Sequence, residues 1–226
     1  MRRDAVFIDK ITSPFLSCSD DVLLILDALF SKTSEWNDYL TRLLVINEPN
    51  CLLKDGFIEK KTNDGVKKYP YQEYIDKAFP LKTRVRNLVQ SGYIRLNPKF
   101  KMGEYQDVKT YIVISLDNFL PSQNPAFRDY DINFDIITYN DKWVLDNYKI
   151  RPLVIAGYID GVLNQLTSKD SVSYKNFMSR IKLTGIGNYN FNYCKEIVLN
   201  EDISMYTLCY RGVHLGEDIK EITYDS

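Results

Sequence analysis

Apolar residues recur at helical spacing along the first ninety positions. Val22, Leu23, Leu26, Leu29 and Phe30 follow Ser19-Asp20-Asp21, which reads as a helix N-terminus with acidic residues in the first turn. Residues Ser31 to Ser34 break or kink the pattern, and Trp36, Tyr39, Leu40, Leu43 and Leu44 resume it on one face until Pro49 ends it. Residues 50–80 differ. The turn dipeptide Asp55-Gly56 and the turn Asn63-Asp64-Gly65 bracket Phe57–Thr62, which predicts a loose hairpin or arm. A third helix is expected over Pro80–Gln90, with Leu81, Val85, Leu88 and Val89 on one side and Gly92 closing it.

From residue 93 the period shortens to two. Tyr93–Leu96 reads as a short strand, followed by a polar connection over Lys99–Asp107. Tyr111–Leu116 turns Ile112, Ile114 and Leu116 one way. Tyr130–Tyr139 alternates Ile132, Phe134 and Ile136 with Asn133 and Asp135. The intervening Asn118–Arg128 reads as an exposed loop. An amphipathic helix is predicted over Arg151–Leu166, with Pro152 in its first turn and Ile155, Ile159, Val162, Leu163 and Leu166 as its stripe. Gly157 and Gly161, four apart, would let a sheet or a neighbouring subunit approach closely. Leu183–Tyr193 and Glu196–Leu199 read as two strands and Met205–Val213 as the last one, after the turn Asn200-Glu201-Asp202.

The fold class expected is therefore α+β. N-terminal helices precede a mostly antiparallel β-β-α-β-β sheet with the helix packed on one face. Three regions follow: residues 1–92, helical with a projecting arm at about 50–80; an α+β core over 93–213; and an acidic tail over 214–226. The two patterns require Ile112, Ile114, Ile132, Phe134 and Ile136 to pack against Ile155, Ile159 and Leu163.

Composition changes this picture little. The chain has 226 residues, 45% of them hydrophobic and 26% charged, enough to bury one good-sized core. A formal net charge of −1 gives no bulk attraction to nucleic acid or membrane, although a local patch could bind either. No apolar stretch is long enough for a signal region or a membrane span, so a non-secreted, soluble protein is expected. The cysteines at 18, 51, 194 and 209 fit neither a zinc site nor a disulfide framework. Reduced thiols are expected, with Cys194 and Cys209 as small core residues on strands. The 17 tyrosines suit interfaces, while the plainer account is the compositional drift of an AT-rich genome.

Candidate chemistry is sparse. The one histidine, His214, has no Ser or Cys motif in support. Gly185-Ile186-Gly187-Asn188 lacks the third glycine and the helix of a dinucleotide fingerprint. Asp131 and Asp135 share a strand but are read as facing different partners, and Asp129 and Asp131 share a face beside Arg128. Glu59-Lys60-Lys61 has the Glu-x-Lys form of a metal-dependent nuclease, but Asp55, upstream, falls in a turn instead of a strand. Lys60, Lys61, Lys67 and Lys68, close to Tyr69 and Tyr71, are candidates for arm contacts or for passing contact with DNA in a channel. Phe119, Phe127, Arg128 and Tyr130 are candidate interface anchors, Phe127 and Tyr130 having the alternative of pinning their loop to the sheet.

One segment carries a resemblance. Asn124-Pro-Ala-Phe-Arg-Asp-Tyr130 leads into the strand Asp131–Ile137, then Asn140-Asp-Lys-Trp143, then Arg151-Pro-Leu-Val-Ile-Ala-Gly-Tyr-Ile-Asp-Gly-Val-Leu-Asn164, with Glu196–Asn200 and Tyr206–Arg211 as returning strands. This resembles the tail-terminator and neck proteins of tailed bacteriophages over about residues 105–213. The first 90 residues, with two or three helices and an arm, depart from the usual shorter form. The resemblance implies a structural ring subunit that joins head to tail on the portal side or caps the tail tube, in the virion after assembly in the host cytoplasm. Its partners would be copies of itself and other neck, portal-side or tail proteins. It implies no catalytic residue, cofactor or metal. Another virion adaptor or tail-completion protein of different fold, and a carboxylate nuclease, stay open beside it.

Overall fold

The computed structural model describes residues 14–31, 35–62, 65–96, 109–122, 128–167 and 188–213. Phe127, the 99–107 connection, Gly185, Gly187, His214 and the 214–226 tail lie outside them.

Helices α1 (Pro14–Phe30) and α2 (Glu35–Val45) come first, then the hairpin β1 (Phe57–Thr62) and β2 (Gly65–Pro70), then α3 (Tyr71–Ala78) and α4 (Arg84–Gln90). A five-stranded sheet follows, formed by β3 (Ile94–Arg95), β4 (Thr110–Pro121), β5 (Arg128–Tyr139), β6 (Asn188–Val198) and β7 (Ile203–Val213). Helix α5 (Arg151–Thr167) lies between β5 and β6 in the chain. The strand order is β3-β4-β5-β7-β6. Only the β3–β4 pair is parallel. This is the α+β arrangement that the alternating and helical periods predict.

The sheet's two faces follow from the register. Ile112 stands opposite Ile136 and Ile114 opposite Phe134, while Ile132 and Phe134 oppose Tyr210 and Leu208 of β7. These side chains form one buried cluster with Ile155, Ile159 and Leu163 of α5, with α1 and α2, and with Leu88 of α4. The described helices of the first ninety residues and the sheet thus share a single core. The other face carries a smaller apolar group, Tyr111, Val113, Ile137 and Ile203, at one end.

Helix ends leave carbonyls without intrahelical donors, and two buried arginines satisfy them. Arg151, fully buried, donates from Nη1 to the carbonyls of Leu43 (2.9 Å) and Ile46 (2.8 Å). Its Nη2 reaches those of Asn47 (3.3 Å) and Glu48 (2.8 Å), and its Nε that of Lys142 (2.9 Å). It forms no ion pair among the described residues. The "Arg-Pro" that opens α5 is thus a latch between α5 and the end of α2. Arg84 does the same for α1, donating to Phe30 (3.4 Å) and Phe79 (3.0 Å) and pairing with Asp38 at 2.7 Å. Asn37 adds bonds to the carbonyls of Ala28 and Leu29.

Several expectations need correction. Helix α1 starts at Pro14, so Ser19-Asp20-Asp21 lies inside it. Asp21 faces the core and caps nothing. Helix α3 was not anticipated, although Pro70 before it, Glu73 in its first turn and Lys77 in its last are helix signals. Strand β4 continues through Asn118–Pro121, past a register shift between Asp117 and Leu120, where the expected loop should begin. Asn118 accommodates this with φ +48°, a left-handed conformation that Asn tolerates. Described residues 188–198 are one strand with an irregularity between Phe191 and Tyr193, not two strands. A Cβ on Gly157 or Gly161 would meet nothing within 4 Å, so no sheet closes on them. Cys194 is exposed, because it lies on the edge strand β6; Cys209 is buried, and none of the four cysteines forms a disulfide.

Candidate functional site

Four polar regions were candidates for chemistry or contact. The first is a belt on the sheet face away from the core. Asp131 and Asp135 do not face different ways. Four residues is two full strand periods, so both lie on this face with Asn133 between them. Asp131 faces Arg211, with an ion pair at 2.8 Å, and accepts bonds from Asn118 (2.7 Å) and Asn192 (3.4 Å). Burial alone would raise the Asp131 pKa, but these donors and the guanidinium charge outweigh it and hold the carboxyl below its ordinary value. Asp135 accepts from Thr207 at 2.7 Å. Its pKa is raised, first by burial and then by Asp117, against the Thr207 bond. Asn133 donates to Asp117 at 3.1 Å. The carboxylates are thus each engaged by a donor of the same sheet. Among the described residues, no group of three or more His, Cys, Asp or Glu is placed to hold a metal ion.

The second region is a buried hydroxyl network. Tyr130 is fully buried. Its hydroxyl donates to Asp21 of α1 at 2.8 Å and lies 3.1 Å from the Tyr189 hydroxyl. Burial pushes both phenols well above their ordinary pKa. Tyr130 is therefore not an exposed anchor. It pins β5 to α1, whereas the alternative reading had it pinning the loop to the sheet. Phe119 rests 6.2 Å from Tyr130, ring to ring, and is 38% exposed. Arg128 is half-buried at the start of β5, opposite Pro121. The proposed anchor cluster is thus divided between surface and core.

The third region is the hairpin. Its register sets Lys60 opposite Lys67 and Glu59 opposite Lys68. Lys68 pairs with Glu59 at 3.1 Å and sits 4.3 Å over the Phe57 ring. Glu59, the carboxylate of the Glu-x-Lys run, is therefore held by a lysine on an open ribbon. Lys60, Lys61 and Tyr69 line a cleft with Tyr74, Lys77 and Ala78 of α3, about 270 Å³ in volume. Lys60 donates to the Tyr74 hydroxyl at 3.1 Å and lies 4.2 Å over its ring, and Lys77 lies 5.8 Å over Tyr69. Tyr71 is not part of the arm. It is fully buried and bonds Asn50, and its ring covers Gly56 so closely that a Cβ there would meet it at 2.1 Å. It is the hinge post on which the hairpin stands. Lys77 and Tyr74, which complete the cleft, were missed because they fall in the unanticipated helix α3.

The fourth region is strand β6. Among the described residues it is the edge of the sheet, and Phe191, Tyr193 and Val198 are exposed, as is Leu199 just beyond it. Eleven residues is long for an unprotected edge. Among the described residues, no helix is long and apolar enough to cross a membrane.

Comparison with known proteins gives one match. No curated protein and no solved structure matches significantly. The family model for YomW matches residues 37–211, from within helix α2 to within the last strand, β7. That span covers most of the chain, including the cleft, both arginine latches and the edge strand. The chain therefore belongs to the YomW family and is a phage-related protein.

Proposed function

We propose that this phage-related chain is a structural subunit which assembles head to tail into a closed ring in the virion neck or tail. There it would join the portal side to the tail or cap the tail tube. One observation carries the reading: each copy has two unlike surfaces that no strand or helix among the described residues covers. One is the β1–β2 hairpin, exposed along nearly its whole length; the other is the long apolar edge of β6. A ring of identical copies needs such a pair, because head-to-tail closure joins different patches of neighbouring subunits. An unpaired strand edge offers main-chain donors and acceptors to an incoming ribbon. The function is assembly, without turnover, cofactor or metal, with other neck, portal-side or tail proteins as further partners. The wide engagement of the belt carboxylates by donors of their own sheet agrees with a structural role.

Mass photometry of the purified chain, alone and mixed with portal-side and tail components, tests the proposal. A discrete closed oligomer is expected in at least one condition. The double variant Phe191→Asp, Val198→Asp should keep its circular dichroism spectrum and fail to assemble. A wild type that stays monomeric in every mixture, or a folded variant that assembles normally, overturns the ring.

A further inference from the structure

We infer that the cleft between the hairpin and α3 binds the phosphodiester backbone of nucleic acid, without regard to base sequence. Lys60, Lys61 and Lys77 are half of the six residues lining the cleft, and none of them forms an ion pair with a carboxylate among the described residues. By contrast, Lys68 is neutralised by Glu59. Lys60 and Lys77, whose ammonium groups lie over the cleft's tyrosine rings, thus differ from Lys68, which has a carboxylate partner.

The tyrosines explain why the lysines are held in place. A lysine on an open ribbon would normally sweep freely. Here the Tyr74 ring and hydroxyl fix Lys60, and the Tyr69 ring lies under Lys77. These faces are occupied by ammonium groups, so they orient cations and do not stack on bases. The volume, about 270 Å³, lies at the small end of ligand sites and suits a backbone phosphate with its sugar more than a whole nucleotide stack. Net charge gives no such signal, because the chain is almost neutral as a whole.

This proposal does not depend on the ring and can fail separately from it. The test is fluorescence anisotropy of the full chain with a labelled DNA duplex, at several salt concentrations, with inorganic tripolyphosphate as a second probe. Wild type should bind the duplex at low salt. Replacing Lys60, Lys61 and Lys77 together by Ala should weaken binding at least about tenfold and reduce the salt slope by roughly 2–3, one lysine–phosphate contact being worth about 0.9. The triple Lys→Arg variant should retain binding. The double variant Lys142→Ala, Lys195→Ala, away from the cleft, should match wild type. Undetectable duplex binding by wild type at low salt would overturn the proposal. So would a folded triple-Ala variant within about twofold of wild type. Binding of tripolyphosphate but not of duplex would identify a small-anion site and reject the nucleic acid.

Discussion

The two buried arginines and the exposed hairpin lysines put the same charge to opposite uses. Arg151 meets five backbone carbonyls around a planar fork, so each of its acceptors is met within the chain. Lys60 meets one hydroxyl and one ring, which leaves most of its donor capacity facing the cleft. A cation whose acceptors are complete is architecture, and one whose acceptors are incomplete is available to a partner. The same division holds for tyrosines. Tyr71 and Tyr130 are enclosed by the fold, while Tyr69 and Tyr74 line an open cleft.

The sharpest way to break this contrast is Arg151→Ala. It strips five carbonyls of their donor, some of them deep in the core, and should cost about 3–5 kcal/mol in urea unfolding. Arg151→Lys should recover little, since one ammonium cannot replace the fork. A loss below about 1 kcal/mol would show the latch to be ornamental. Next, Phe134→Ala should cost about 3–5 kcal/mol through the cavity it leaves between β5 and α5. A small effect would mean the core is elsewhere. Tyr130→Phe removes the donor to Asp21 while keeping the ring, and a loss of about 1–3 kcal/mol in the same assay is expected. An unchanged midpoint would return Tyr130 to the list of surface anchors.

Two smaller effects sharpen the boundary between enclosed and open groups. The raised Asp135 pKa means its charge opposes folding at neutral pH. Asp135→Asn should therefore stabilise at pH 7, by less than about 1 kcal/mol because the group is partly exposed. That gain should fade as the pH falls through the raised folded value toward the ordinary one. Asp131 has the opposite sign. Its carboxylate contributes stability above the unfolded pKa, which is lost as pH falls through the lowered folded value. A pH series of chemical melts on the Asp135→Asn variant checks the first sign. Last, Lys68→Ala on the hairpin should change stability by no more than about 0.5 kcal/mol. A larger loss would show the ribbon to be part of the core.

What could be read from the sequence followed period. Alternation in Tyr111–Leu116 and Tyr130–Tyr139 located β4 and β5, and the stripe of Ile155, Ile159 and Leu163 located α5 against them. The hairpin came from two turn signals. Where the reading failed, the deciding partner lay far along the chain. Tyr130 has the same local context whether it faces solvent or core. Only Asp21, 109 residues earlier, decides for the core. Asp21 itself looked like a cap because acidic residues favour first turns, and a tertiary bond overrode that preference. Tyr71 looked like an arm residue because it follows lysines, yet a glycine fifteen positions before it supplies its seat. Helix α3 was missed because only two of its eight residues, Tyr71 and Ile75, are buried, too few for a visible period.

The Arg151 latch also bears on how the chain is made. Its acceptors at Leu43 and Ile46 precede it by 108 and 105 residues. During synthesis from the N-terminus, the end of α2 emerges long before the donor that seals it, and during that interval those carbonyls can be met only by water. The early helices should therefore stay sensitive to protease on stalled ribosomes carrying chains that end before residue 151, and become resistant only when α5 has cleared the exit tunnel. The order of emergence delays compaction of the first half until the second half is at hand.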